Sequence, residues 1–335
     1  MPNFEEYGCV GQISLKELKK PFQKDFIEYE KTFKTILSSN VQLIDTIVNY
    51  VVKHKGKGLR PLLVIMAAKL VGKPTQDTYV VASVVELLHS ASLVHDDVVD
   101  DSFIRRGFPS INAMWKNKIA VLMGDYMLSK CLIAAASTDN IRIMQILAEA
   151  SKRLSKGELS QIEKSRRLNI CETEYYEIVS DKTAALISSA AELGAMSSSK
   201  NIDDHERLRK FGEYLGIAFQ IKDDLLDYFG HQHIIGKPVG NDFKEKKITL
   251  PLIYAFKQAT AKEISVIKKS LKKGVSKKEV DHIIQFVKDK GGIQYAEEKK
   301  EEYARRAKDA LAIYPETDIK QAIKNFVDYT IQRKK

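Results

Sequence analysis

Val80, Val81, Val84, Leu87, Leu88, Ala91 and Val94 recur at three- and four-residue intervals, the spacing of one face of an α-helix. Leu208, Phe211, Leu215, Ala218 and Phe219 repeat in the same way. Glycine and proline fall mainly between such segments: Gly56, Gly58 and Pro61, then Gly72 with Pro74, Gly107 with Pro109, and Gly236, Pro238 and Gly240. No convincing period-two strands alternate with them. The pattern predicts an all-α fold, a bundle of long helices with short connections. No low-complexity linker or compositional break divides the chain, so residues 1–335 are read as a single domain. The more charged stretch after about residue 255 stays periodic and is read as the outer helices of that domain.

Both apolar stripes run into carboxylates. Asp96, Asp97 and Asp100 lie in HDDVVDD, and Asp223, Asp224 and Asp227 lie in KDDLLDY. Each set has the spacing i, i+1, i+4, which at roughly 100° per residue places three carboxylates on one helix face. Two such charges about 4 Å apart repel by about 4 kcal/mol at an effective dielectric near 20. Arg105, Arg106, Gly107 and Pro109 follow the first set, which places it near a helix C-terminus, where the helix dipole also disfavours anions. Divalent cations relieve both penalties, and all-oxygen ligands favour Mg²⁺ over zinc. Magnesium held by a few carboxylates shares its remaining positions with phosphate oxygens. If the two helices pack face to face, they form acidic walls across one cavity, suited to gripping a diphosphate through metal.

Bulk properties narrow the alternatives. The three cysteines, Cys9, Cys131 and Cys171, are far apart and lack metal-ligand spacing, which suits a reducing, cytoplasmic setting. The start MPNFEEYG has no apolar h-region, and no apolar run approaches the ~20 residues of a membrane-spanning helix. The net charge of +10 comes largely from Lys-rich stretches such as KKSLKKGVSKKE. They carry no interleaved aromatics for base stacking and read as a solvated helix face. The expectation is no nucleic-acid partner and at most peripheral membrane contact.

The motifs GKGLRP, ELLHSASLVHDDVVDDSFIRRGFPS, GDYMLSK, DKTAAL, GIAFQIKDDLLDYFG and GKPVGNDFKEKKITLP occur in that order between residues 56 and 251. Together they resemble the trans-isoprenyl diphosphate synthases, head-to-tail prenyltransferases. The resemblance implies an isoprenoid synthase-type helical bundle around a deep cavity, usually in a homodimer. It implies that Asp96, Asp97, Asp100, Asp223, Asp224 and Asp227 bind several Mg²⁺ ions, some through water. Arg105, Lys182, Thr183, Gln220 and Lys237 match positions that contact an allylic diphosphate such as farnesyl diphosphate, and Lys247 is a further cationic candidate. Lys57, Arg60, His89 and Arg106 match positions that hold the acceptor, isopentenyl diphosphate, directly by cations. The catalytic set implied is Asp96, Asp97, Asp100, Lys182, Asp223, Asp224 and Lys237. Ionisation of an allylic diphosphate needs its departing pyrophosphate stabilised as charge develops, whereas the acceptor must keep its own diphosphate. Asp181 is read as a possible cap for the helix holding Lys182. Where the family often has glycine, this chain has Lys246.

Small residues one turn before the first aspartates, Ala91 and Ser92, leave a path for a growing chain. Short-chain members commonly carry aromatics there. The expectation is a long-chain all-trans polyprenyl diphosphate synthase, octaprenyl or similar, supplying quinone side chains. Met123, Met127, Cys131 and Leu132 are candidates for the tunnel floor. The alternatives are a short-chain farnesyl or geranylgeranyl synthase, or a non-catalytic subunit of a heteromeric synthase.

Overall fold

Several helices begin where a polar side chain replaces a missing backbone partner. Ser14, Asn140, Asn201, Thr260 and Ser276 each accept a hydrogen bond from an amide of the following first turn. The computed structural model describes residues 13–332 except 55 and 230–239. Within them the chain forms α1 (Leu15–Lys19), a 3₁₀ turn (Lys20–Phe22), α2 (Gln23–Leu37), α3 (Gln42–Lys53), α4 (Leu59–Val71) and α5 (Gln76–Val99). A two-stranded hairpin follows, β1 (Ile104–Arg105) and β2 (Phe108–Pro109). Then come α6 (Ile111–Ala136), α7 (Ile141–Arg167), α8 (Glu172–Val179), a π-helical turn (Ser180–Ala184), α9 (Ala185–Met196) and α10 (Ile202–Leu226). The chain ends with α11 (Asn241–Lys244), α12 (Leu250–Lys257), α13 (Ala261–Lys273), α14 (Lys277–Asp289), α15 (Gly292–Ala310) and α16 (Asp318–Gln332).

The expected all-α architecture holds. Helices α4 and α9 are buried almost all round, from Pro61 to Ala68 and from Ala185 to Ala195, as helices apolar on every face must be. They pack against each other; α5 contacts both, α7 and α10 pack on α9, and α2 and α16 pack on α4. One apolar cluster joins α2 to α7, α9, α10 and α16; a second joins α8, the end of α10 and α12 to α15. Helix α10 belongs to both.

Two expectations change here. First, the helices bearing the aspartates are not a tightly packed pair: α9 packs against both α5 and α10, which make no extensive contact with each other. That separation leaves the space between the acidic ends open. Second, α5 and α6 are long and apolar enough, by length and composition, to cross a membrane, although the sequence shows no unbroken apolar run of that length. In the fold they pack along each other, and α5 ends in the acidic motif.

Helix α6 contains one strained residue. Lys116 has φ 68° and ψ 162°, a region that is essentially reserved for glycine and costs a side-chain-bearing residue about 1–3 kcal/mol. Glycine's own entropic cost is about 0.5–1 kcal/mol, so Lys116→Gly should be net stabilising. We expect a rise of about 1–3 °C in Tm by scanning calorimetry; an equal or lower Tm would show that Lys116 is not strained in solution.

Candidate functional site

Helix α5 ends at Val99, and Asp100 is its C-cap rather than part of its last turn. The three carboxylates of this motif do not form one wall. Asp97 is buried and turned toward the hairpin, where Arg105 Nε lies 2.9 and 2.8 Å from its two oxygens and Nη2 lies 2.7 Å from Oδ1. Its backbone carbonyl accepts from Asn112 Nδ2 at 3.1 Å. The reason is the 100° step: with Asp96 turned toward Glu158 and Lys182, the next side chain points to the neighbouring element. Burial and the nearby Glu158 carboxylate push Asp96 up to about 6, against the pull of Lys182. Asp100 is also raised, by burial, while Lys247 opposes the shift.

The second motif divides its work similarly. Asp223 lines the cavity. Asp224 is buried and accepts from Tyr175 Oη and Gln220 Nε2, each at 2.7 Å. Asp227 caps α10, and its two oxygens accept the amides of Asn241 and Asp242, both at 3.0 Å. It therefore ties the short α11 back onto α10, and any contact it makes with a metal must share those oxygens. Burial, together with Asp224 and Asp227, drives the carboxyl of Asp242 upward, and burial raises Asp224 and Asp227 too. This corner holds more buried negative charge than its lysine can balance, a fit for a cation. Among the described residues no three His, Cys, Asp or Glu side chains converge to hold an ion unaided. The donor set therefore suits Mg²⁺ that takes one or two carboxylates from the protein and its remaining oxygens from a phosphate ligand.

Lys182 sits in the π-helical turn between α8 and α9. The turn fits because α7 has Gly157 beneath it, where a Cβ would lie 2.7 Å from the Lys182 nitrogen. The ammonium reaches Glu158 at 2.6 Å and Gln161 at 2.5 Å. Thr183 Oγ1 donates to Gln220 Oε1 at 2.6 Å, so Gln220 links Thr183 to Asp224 through side chains. Asp181 is not a helix cap: it pairs with Arg153 at 2.8 Å and Lys156 at 2.9 Å. Lys247 pairs with Glu245 and faces Asp242 and Asp100, which hold its ammonium above the ordinary lysine value despite burial. Lys246 has φ 58°, a left-handed conformation, which explains why glycine suits that position. Arg105, Lys182, Thr183, Gln220, Asp223, Asp224, Asp242 and Lys247 enclose about 380 Å³. Lys237 lies outside the described residues.

A second cavity of about 670 Å³ adjoins the first, and Arg105 and Asp223 line both. Its polar end carries Lys57, Arg60, His89 and Arg106, and its far wall is Leu63, Ile187, Leu215, Phe219 and Phe326. Burial, then Arg60, Arg106 and Arg105, hold the His89 imidazole well below its ordinary pKa, so His89 is neutral at pH 7. The Arg106 guanidinium lies against the backbone of Gly56, where a Cβ would come within 2.6 Å of Nη2. Lys57 Nζ is 5.5 Å from the Tyr329 ring centroid.

Sequence reading missed Glu86, Glu158, Gln161 and Tyr175. Glu86 shares the cationic cavity, one turn before His89 on α5, and its carboxylate favours the charged form of Arg106. A lone acid inside the apolar run VVELLH was the available signal. Glu158, Gln161 and Ser165 recur at helical spacing on α7, a polar stripe next to the glycine that admits Lys182. Ala91 is packed in the core, and Ser92 donates to the His89 carbonyl at 2.9 Å. Neither lines the two cavities above. Met123, Met127 and Cys131 are buried between α5 and its neighbours, whereas Leu132 is 43% exposed on the opposite face of α6 and is no floor candidate.

A polyprenyl synthetase family model matches residues 41–287. The octaprenyl diphosphate synthase of Haemophilus influenzae is 32% identical across 96% of this chain and 98% of its own. A decaprenyl diphosphate synthase from Rhodobacter capsulatus superposes with a TM-score of 0.90 at 34% identity, covering 96% of this chain and all of that one (100%). A polyprenyl synthase from Caulobacter crescentus, solved with calcium and isoprenyl diphosphate, superposes with a TM-score of 0.89 at 31% identity over 97% of this chain and 99% of its own.

Proposed function

The chain belongs to the polyprenyl synthetase family, and from that premise we propose that it joins isopentenyl diphosphate head-to-tail to an allylic diphosphate, making long-chain all-trans polyprenyl diphosphate. The observation that carries the reading is the pair of adjoining cavities. One is lined by carboxylates with a few cations, the other by Lys57, Arg60, His89 and Arg106, and they share Arg105 and Asp223. Two diphosphates of different fate need two such environments.

Asp96, Asp100, Asp223 and Asp242 are the carboxylates available to Mg²⁺, with Asp224 and Asp227 behind them. Bound Mg²⁺ supplies positive charge to the diphosphate that departs. The calcium and isoprenyl diphosphate of the Caulobacter structure support a divalent ion and an isoprenyl diphosphate as ligands. Arg105, Lys182 and Lys247 reach the allylic diphosphate as planar or point charges. Lys182 and Lys247 now rest on Glu158 and Glu245, and they exchange those partners for phosphate oxygens. Arg60 and Arg106 grip the acceptor's diphosphate without metal, and neutral His89 adds a hydrogen bond. The acceptor alkene attacks the allylic carbon as its C–O bond breaks; the proton then lost goes to the released pyrophosphate.

We infer a homodimer as well, from the exposed apolar side chains Val121, Leu122, Leu132 and Ile133 along one side of α6. Its octaprenyl and decaprenyl relatives support a long product. Incubation with labelled isopentenyl diphosphate, farnesyl diphosphate and Mg²⁺ tests this by product length. Products well beyond geranylgeranyl length are expected. A product that stops at farnesyl or geranylgeranyl length would make this a short-chain synthase.

A further inference from the structure

The cationic cavity depends on a hairpin that cannot hold itself. The β1–β2 ladder has only two residue pairs, Ile104 with Pro109 and Arg105 with Phe108, and an isolated hairpin of this size is marginal in water. Core burial does not fix it either: Phe103, Ile104 and Phe108 are all exposed. Its base is closed by Ser110, whose amide donates to the Phe103 carbonyl at 3.0 Å and whose hydroxyl donates to the Ser102 carbonyl at 2.7 Å. Arg105 is fixed separately by its three contacts with Asp97. Arg106 has no such anchor to that acid. It occupies the turn at φ 55°, followed by Gly107 at φ 82°, and its guanidinium takes its place against Gly56 from where the turn is held.

What holds the turn-bearing strand is the last part of α3. Tyr50 Oη donates to the Pro109 carbonyl at 2.6 Å. The His54 ring lies 4.1 Å from the Phe108 ring and 4.4 Å from that of Tyr50, and Trp115 packs on Tyr50 at 5.3 Å. His54 Nδ1 is 2.9 Å from the Tyr50 carbonyl, which keeps the two side chains in one unit. Gly56, Lys57 and Gly58 lie two to four residues beyond His54. One helix end therefore sets both halves of the cavity, the loop bearing Lys57 and the hairpin bearing Arg106.

We propose that Tyr50 is a positioning residue for the acceptor diphosphate: its hydroxyl, bonded to the Pro109 carbonyl, sets the hairpin so that Arg106 closes on the loop that follows α3. The proposal deepens the reading of that cavity as the acceptor site and rests on it. Tyr50→Phe keeps the ring and removes one hydrogen bond. KM for isopentenyl diphosphate should rise about two- to tenfold, with kcat unchanged. KM for the allylic diphosphate should also be unchanged, because Arg105 keeps its own anchor. A role confined to stability would lower Tm and leave the KM values alone. Unchanged KM for the acceptor in a folded Tyr50→Phe protein, or equal rises for both substrates, overturns the proposal. Metal-free binding of inorganic pyrophosphate, measured by calorimetry, separates the two layers. Loss of affinity in Tyr50→Phe by the same factor supports the positioning role even if wild-type protein fails to condense its substrates, a failure that would count against the proposed reaction alone. Equal pyrophosphate affinity in wild type and variant overturns it.

Discussion

Asp96→Ala and Asp223→Ala should each lower turnover about 10²–10³-fold with the fold intact, because each removes preorganised support for the departing pyrophosphate. Asp97→Ala should behave differently. It frees Arg105 from its buried partner, so its main effect should fall on KM for the allylic substrate. Steady-state kinetics on variants with wild-type circular dichroism check both expectations. Near-wild-type turnover in Asp96→Ala would overturn the assignment of that wall. Stability gives a second readout. Asp96 sits at about 6 in the folded protein, above its unfolded value of about 3.9. The folded state is thus favoured relative to the unfolded one at low pH, and that advantage is lost as pH rises through 6. Metal-free Asp96→Ala should therefore gain in Tm over wild type at pH 8, and the gain should shrink by pH 4.5.

Arg106→Ala should raise KM for isopentenyl diphosphate about ten- to a hundredfold, the worth of charge-assisted hydrogen bonds to phosphate, while kcat changes little. Arg60→Ala should do the same. His89→Ala should cost less, since the imidazole is held neutral by burial among the arginines and contributes no charge. Lys182→Ala should act on the allylic substrate instead. Varying each substrate in turn measures the partition. Equal effects of Arg106→Ala and Lys182→Ala on both substrates would show a single shared diphosphate site.

The helices were legible because their apolar period, and the glycines and prolines between them, act locally. The aspartate clusters were legible as chemistry for the same reason: the charge repulsion they carry is visible in six residues. Their division of labour was not. Whether Asp97 faces metal or arginine depends on where the hairpin lands, and Asp227 caps a helix fourteen residues ahead of it. The acids and amides of α7, Glu158 and Gln161, escaped for a related reason. They act by proximity to Lys182, which Gly157 permits only once α7 and the π-helical turn are packed. The packing of α9 between the two acidic helices is likewise a tertiary fact, since a helix buried on every face does not say which neighbours cover it. Ala91 reads from its small size as part of an open path; in the fold it packs in the core and borders neither of the two cavities.

The most direct test of the central claim is the yield of the reaction itself. Isopentenyl diphosphate and farnesyl diphosphate are incubated with the protein, with Mg²⁺ or with excess chelator, and released pyrophosphate is measured beside prenyl product. One pyrophosphate should be released for each isopentenyl unit incorporated, with Mg²⁺ only. Condensation that continues in chelator, or no condensation by folded protein with Mg²⁺ and both substrates, would contradict it.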